Sequence, residues 1–90
     1  MKNKITIEKI KKYREITTEA LDLAKKNIVD KEKAKEIIEM VACYLSDSQH
    51  FQDKEDFVNA FACLSYAHGW LDAGARLKVF DVQDNRLFTV

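Results

Sequence analysis

The sequence contains no proline and only two glycines, so the residues that most often mark chain breaks are almost missing. Both glycines, Gly69 and Gly74, lie inside one apolar segment rather than between segments. Helix ends must therefore be located from capping residues and from the spacing of apolar side chains.

Net charge is also absent, because the 15 basic and 15 acidic residues cancel. An apolar content of 47% excludes a disordered chain, and a length of 90 residues predicts one domain. Charge is nevertheless uneven, with a net +5 in the first fourteen residues, where six basic residues accompany Glu8 alone. We interpret this segment as a solvated helix face, although a contact with an anion or an acidic partner stays open. Its basic residues are Lys2, Lys4, Lys9, Lys11, Lys12 and Arg14.

Cysteine and long apolar runs are scarce as well. Cys43 and Cys63 are too few and too far apart for a disulfide framework or a zinc knuckle.

No apolar signal core follows the N-terminal Met-Lys-Asn-Lys, so we predict a cytoplasmic protein. Polar residues interrupt the apolar segment 57–75, which argues against a membrane span; they are Asn59, Ser65, His68 and Asp72. Aromatic residues are too few near the basic segment to favour nucleic acid as a partner.

Apolar residues at steps of three and four predict two amphipathic helices, at about residues 6–27 and 31–52. Thr6 and Asp30 can cap their first turns. The first stripe comprises Ile7, Ile10, Tyr13, Thr17, Ala20, Leu21, Ala24 and Ile28. The second comprises Ala34, Ile37, Ile38, Val41, Ala42, Leu45 and Ser48.

A third helix is predicted at about residues 56–79, with Asp53 or Asp56 as its cap. It carries two adjacent apolar stripes, which indicates enclosure on most sides. One stripe comprises Phe57, Phe61, Leu64, His68, Leu71 and Ala75, and the other Ala60, Cys63, Ala67, Trp70, Gly74 and Leu77. The small residues Ala60, Ala67 and Gly74 favour close approach of a neighbouring backbone. Even the remaining side is largely apolar and includes Val58, Ala62, Gly69 and Ala73.

Residues 80–90, the C-terminal tail, change character and predict an extended apolar segment with a turn. We expect the tail to pack on the helices; the alternative is a peptide-like ligand for another protein. Short connections favour an all-α, three-helix, up-down-up antiparallel bundle in which residues 1–90 form a single domain.

Candidate chemistry is sparse. Asp47 and His50, and likewise His68 and Asp72, have spacings that allow a shared metal ion, but proteins with bundle metal sites use more carboxylates. We therefore predict no metal site and interpret His68 as a core-edge histidine that hydrogen-bonds a neighbouring helix. Nucleophile elbows and glycine-rich phosphate loops do not stand out, so no catalytic residue or cofactor is predicted. Cys43 falls on the polar side of its helix, whereas Cys63 reads as a small core residue.

The segments DFVNAFA at 56–62 and SYAHGWLDAGAR at 65–76 resemble the signature of an archaeal family of unknown function, numbered 357. The runs DSQHF at 47–51, FDV at 80–82 and LFTV at 87–90 are also similar. The resemblance implies a three-helix, spectrin-repeat-like bundle, an archaeal source and a cytoplasmic location. It carries no catalytic or ligand residues. Some relatives join this segment to a nucleotidyltransferase-like domain, which implies an accessory or docking role.

Two functional hypotheses follow. The first is a non-enzymatic interaction module, as a homodimer or with another protein, whose contact surface comprises Val58, Ala62, Ser65, Tyr66, Gly69, Trp70, Asp72, Ala73 and Arg76. In this hypothesis an Asp72–Arg76 ion pair lies at the rim. The second is a small-ligand or metal-binding accessory module to a nucleotidyltransferase-type enzyme, which would use Tyr66, His68, Trp70 and Asp72.

Overall fold

The computed structural model describes residues 4–89, and these residues form three α-helices. The helices are α1 (Ile7–Lys25), α2 (Lys31–Asp53) and α3 (Phe57–Arg76). Within these residues, β-type pairing of the backbone is limited to one isolated antiparallel bridge between Ile28 and Phe80. The Cα atoms extend over 41 × 23 × 16 Å. Lys2 of the basic segment and Val90 of the tail lie outside the described residues.

Side-chain contacts show an up-down-up bundle. Helices α1 and α3 run in the same direction, because residue numbers increase together along their contacts: Tyr13 contacts Phe61, and Thr17 contacts His68. Contacts between α2 and α3 run in opposite directions: Tyr44 stacks on Tyr66, whereas Ile37, earlier in α2, lies beside Gly74, later in α3. The predicted all-α, three-helix antiparallel architecture is confirmed, with α3 in most extensive contact with its neighbours.

The predicted helix starts are confirmed by their capping bonds. Thr6 accepts from the Lys9 backbone N–H at 3.2 Å, and Asp30 accepts from that of Lys33 at 3.1 Å. For α3 the cap is Asp56, the second of the two candidates, which accepts from the Asn59 N–H at 3.2 Å. Each cap satisfies one of the backbone donors that a helix leaves unpaired in its first turn.

Helix α3 ends at Arg76, so the predicted end at about residue 79 is wrong. Lys78 adopts a left-handed conformation with φ 62°, and the chain reverses there. Its N–H donates to the Ala75 carbonyl at 3.2 Å, while the Val79 N–H donates to the Gly74 carbonyl at 2.9 Å. This pair of bonds is a Schellman motif, which more often has glycine at its left-handed position.

Helix α2 ends in the same way, with Glu55 at φ 59° in the left-handed position. The Glu55 N–H donates to Gln52 and the Asp56 N–H donates to Phe51, both at 2.9 Å. Helix α1 instead ends at Lys25, before residue 27, and Asn27 donates its side-chain N–H to the Leu23 carbonyl at 2.8 Å.

The tail packs on the bundle, as predicted, and completes its core. Four of its apolar side chains are buried with the helices: Phe80, Val82, Leu87 and Phe88. The segment that enters the tail is also bound to the α1–α2 connection, since the Val29 N–H donates to Val79 and the Asp81 N–H to Asn27, each at 2.8 Å. Far from the bridge, the Arg86 guanidinium pairs with Glu19 at 2.6 Å.

Gly74 provides the space for this packing. A Cβ atom built there would lie 2.6 Å from Cε2 of Phe80 and 3.1 Å from Cδ1 of Ile37. The expectation that Gly74 admits a neighbouring backbone is therefore corrected: the group that approaches is the Phe80 ring, whose side chain is fully buried.

Some residues of the predicted stripes are exposed instead of buried. Tyr13 is 41% exposed and Leu77 is 75% exposed. Tyr13 lies at the edge of the bundle with its ring edge-on to Phe61, and Leu77 follows the end of α3, where the helical spacing no longer applies. Ile28 lies beyond the end of α1, and Ala42 is exposed on α2.

Candidate interaction surface on the third helix

One side of α3 is left open by the rest of the bundle. We call it the outer face of α3 and define it by Val58, Ala62, Ser65, Tyr66, Gly69, Ala73 and Arg76. Helical spacing places these residues on the same side. Val58 is 69% exposed and Tyr66 is 63% exposed, and of the seven residues Ala62 alone is partly buried. The tail covers a different side of α3, so it does not close this surface.

Gly69 lies in the middle of the outer face. A Cβ atom added at this position would meet nothing within 4 Å. Glycine in a helix interior costs about 1 kcal/mol relative to alanine, because its backbone loses more freedom on folding. Packing among residues 4–89 offers no reason for this glycine, in contrast to Gly74 beside Phe80.

The outer face continues onto α2 through a pair of stacked aromatic side chains. Tyr66 stacks on Tyr44 of α2, with ring centroids 5.5 Å apart and an interplanar angle of 26°. Trp70, one turn after Tyr66, is 38% exposed, so its membership of the buried stripe is corrected and its predicted place on the contact surface is retained. Met40, one turn before Tyr44 on α2, is 36% exposed. Such contiguous apolar exposure is typical of contact surfaces.

Asp72 does not form the expected ion pair with Arg76. Its carboxylate accepts from the Thr89 backbone N–H at 2.9 Å and from the Thr89 hydroxyl at 3.3 Å. Asp72 thus attaches the tail to α3 and is not a free rim residue. Arg76 is exposed and takes part in no ion pair within residues 4–89.

His68 connects α1, α3 and the tail. Its Nδ1 lies 3.2 Å from the Thr17 hydroxyl, and its Nε2 lies 2.6 Å from the Leu87 carbonyl oxygen. A carbonyl can only accept, so Nε2 carries the proton and the Thr17 hydroxyl donates to Nδ1 in the neutral ring. The interpretation of His68 as a histidine bonded to a neighbouring helix is confirmed, and the tail carbonyl is an additional partner.

The candidate metal-binding pairs lie apart. Asp47 and His50 are exposed on α2, whereas His68 and Asp72 lie beside the tail, with Nε2 of His68 3.7 Å from the Asp72 carboxylate. In the part of the chain that the structure describes, no three His, Cys, Asp or Glu residues are grouped so that they could hold a metal ion.

The four residues of the ligand-binding hypothesis do not converge either. His68 and Asp72 border a shallow groove beside α1 and Arg86. Tyr66 and Trp70 border a separate shallow groove on the other side of Gly69. Two polar residues that serve the tail and two aromatic residues that face solvent therefore belong to different surfaces.

Arg14 is a structural residue that the interpretation of the basic segment as a solvated face missed. Its guanidinium reaches α2, where it donates to the Gln52 side chain and, at 3.2 Å, to the Ser48 hydroxyl. Burial lowers the pKa of Arg14, since desolvation disfavours the charged form, and the charge of Asp53 opposes this change. The sequence signal was its spacing, because Arg14 follows Ile10 by four positions and precedes Thr17 by three.

The cysteines lie where the sequence predicted, and both are free: Cys43 is exposed and Cys63 is buried. Burial raises the pKa of the Cys63 thiol, and the nearby negative charge of Asp47 raises it further. Neither cation nor helix start lowers this pKa, so the geometry does not resemble that of a reactive cysteine.

The described residues thus define a small all-α protein, a three-helix bundle whose core is completed by its tail. The chain belongs to the family described as protein of unknown function (DUF357), which it matches over residues 12–80. No curated protein and no solved structure matches the chain. Within residues 4–89, none of the helices combines the length and the apolar character needed to cross a membrane.

Proposed function

We propose that this protein is a non-enzymatic interaction module that binds a protein partner through the outer face of α3. The observation that carries the proposal is Gly69, a glycine in a helix interior with open space above its backbone. A neighbouring chain that packs closely at Gly69 would give this glycine a function. The exposed side chains of Val58 and Tyr66 on the same face supply apolar area for such a contact.

The placement of polar groups supports this proposal over a ligand-binding role. His68 and Asp72 already bond to the tail, so a ligand or metal ion that used them would have to displace Leu87 and Thr89. Tyr66 and Trp70 remain available, but they line an open surface rather than an enclosed pocket. Small-molecule sites usually enclose most of their ligand.

We further propose that the protein is cytoplasmic and of archaeal source. Two free thiols, one of them exposed at Cys43, fit a reducing compartment. The source rests on the resemblance of residues 56–76 to the archaeal family signature.

A pull-down from native cell extract tests the proposed contact surface. The bait is the wild type beside a double variant, Ala62→Glu with Ala73→Glu, which places two carboxylates on the outer face of α3. The matched control, Ala42→Glu with Thr18→Glu, adds the same charges at exposed positions of α2 and α1. Circular dichroism checks that all three baits are folded.

We expect a partner, a second copy of the chain included, that binds the wild type and the control but not the outer-face variant. Buried unpaired carboxylates would oppose the contact. A partner that binds all three baits equally would contradict the proposal.

A further inference from the structure

We propose that the partner is a second copy of this chain and that two α3 helices pack antiparallel, with the two-fold axis near the midpoint between Ser65 and Tyr66. This inference rests on the proposed function and deepens it by naming the partner. In a two-fold contact each residue faces a different residue of the other copy, except near the axis. The surface must therefore be complementary to itself when reversed.

The side-chain sizes along the outer face of α3 meet this condition. Val58 and Ala73 are equally far from the midpoint, so the largest aliphatic residue of one copy faces a small residue of the other. Ala62 and Gly69 form a second such pair, and Gly69 offers open space to the incoming methyl group. A parallel arrangement would instead place Gly69 against Gly69 and Val58 against Val58, which leaves a gap at one level and crowding at another.

The charges at the two ends of α3 also favour the antiparallel arrangement. Glu55 lies in the turn just before the helix and Arg76 ends it, at equal separations along the sequence from the same midpoint. Both are exposed, and neither takes part in an ion pair within residues 4–89. Reversed packing brings the acidic end of one copy to the basic end of the other, whereas parallel packing brings Arg76 to Arg76.

The aromatic residues fit the centre of this contact. Tyr66 lies next to the proposed axis, with its ring already held against Tyr44 of the same chain. A side chain that is held before binding loses little freedom when it is covered, which makes exposed tyrosines effective anchors at interfaces. Trp70 follows at the edge of the same surface.

Sedimentation equilibrium over low to high micromolar concentrations tests the inference with the full chain, four variants and one control variant. Arg76→Glu and Glu55→Arg each place like charges together at both ends of the two-fold contact. The double variant, Arg76→Glu with Glu55→Arg, exchanges the charges and restores opposite pairs in an antiparallel dimer alone. Gly69→Leu fills the space at the close approach, and its Cβ meets nothing within 4 Å in the monomer; circular dichroism checks that this variant is folded. Thr18→Glu on α1 is the control.

We expect a dimer for the wild type and the control, and loss of the dimer for Gly69→Leu. Each single charge variant should weaken association about tenfold, and the double variant should recover most of that loss. A wild type that stays monomeric overturns the inference, while a different partner lost from the outer-face variant in the pull-down would leave the proposed function standing. A dimer that tolerates Gly69→Leu, or that the charge exchange does not rescue, overturns the antiparallel arrangement.

Discussion

At the scale of single residues, the two glycines of α3 have opposite surroundings. Gly74 is required because the Phe80 ring occupies the space where its Cβ would stand, 2.6 Å from the nearest ring atom. Gly69, in the same helix, has no neighbour within 4 Å of that position. The first glycine is explained by the fold of one chain, and the second is explained by the proposed contact between chains.

Alanine at these two positions should therefore change stability in opposite directions. Gly74→Ala should lower the free energy of unfolding, since overpacking against Phe80, typically about 1 to 3 kcal/mol, outweighs a gain of about 1 kcal/mol in helix propensity. Gly69→Ala should raise the free energy of unfolding by up to about 1 kcal/mol. Urea unfolding at low protein concentration, where the chain is monomeric, measures both. Equal changes of the same sign would contradict the assignment of Gly74 to internal packing.

At the scale of elements, the helix starts follow from their capping residues, but the helix ends do not. Lys78 and Glu55 adopt left-handed conformations with φ of 62° and 59°. Residues other than glycine and asparagine rarely adopt this conformation. A lysine or a glutamate carries no sequence signal for such a turn. The apolar spacing continues past Arg76 through Val79, and this continuation extended the predicted helix beyond its observed end.

Glycine at these two positions should stabilise the fold. Lys78→Gly and Glu55→Gly each remove the contact between Cβ and the carbonyl oxygen that disfavours the left-handed conformation, and each should raise the free energy of unfolding by about 0.5 to 1 kcal/mol. Lys54→Gly is the matched control, because Lys54 has φ −90° and should lose stability as glycine. Thermal and urea unfolding measure the three variants. Destabilisation by Lys78→Gly similar to that of the control would argue against the Schellman turn.

At the scale of the whole molecule, three helices alone do not close the core. Phe80, Val82, Leu87 and Phe88 are each at most 5% exposed, and they pack with residues of all three helices. Polar contacts hold the same segment in place through His68 and Asp72. The C-terminal tail therefore acts as a fourth structural element of the bundle rather than as a free peptide.

Truncation after Val79 should unfold the protein. Burial of each large apolar side chain contributes about 1.5 to 3 kcal/mol, and four such losses are comparable to the total stability of about 5 to 13 kcal/mol expected for a domain of this size. Circular dichroism during heating should show no cooperative transition. As a control, Gln83→Ala with Asn85→Ala changes exposed tail residues and should unfold as the wild type does. A cooperative transition in the truncated chain would show that the helices fold without the tail.

Much of the fold could be predicted because apolar spacing and capping are local properties of the chain. The starts of the three helices, the burial of Leu64 and Leu71, and the packing of the tail all followed from them. The roles of Arg14 and Asp72 could not be predicted in this way. Arg14 bonds to residues of α2, and Asp72 bonds to Thr89 in preference to Arg76 one turn away. The partners of Arg14 in α2 are distant in sequence. Thr89 replaces Arg76, the plausible local partner of Asp72.

An all-α bundle with a low-charge third helix could be predicted without the structure, because periodic apolar burial and N-capping depend on neighbours within a few residues. Which sides of that helix are covered depends on contacts that are distant in sequence. The Phe80 ring covers the side with Gly74, the end of the tail bonds to Asp72, and the side with Gly69 is left open. The side with Gly74 and the side with Gly69 are comparably apolar in sequence. The difference in their burial therefore arises from where α1, α2 and the tail can reach.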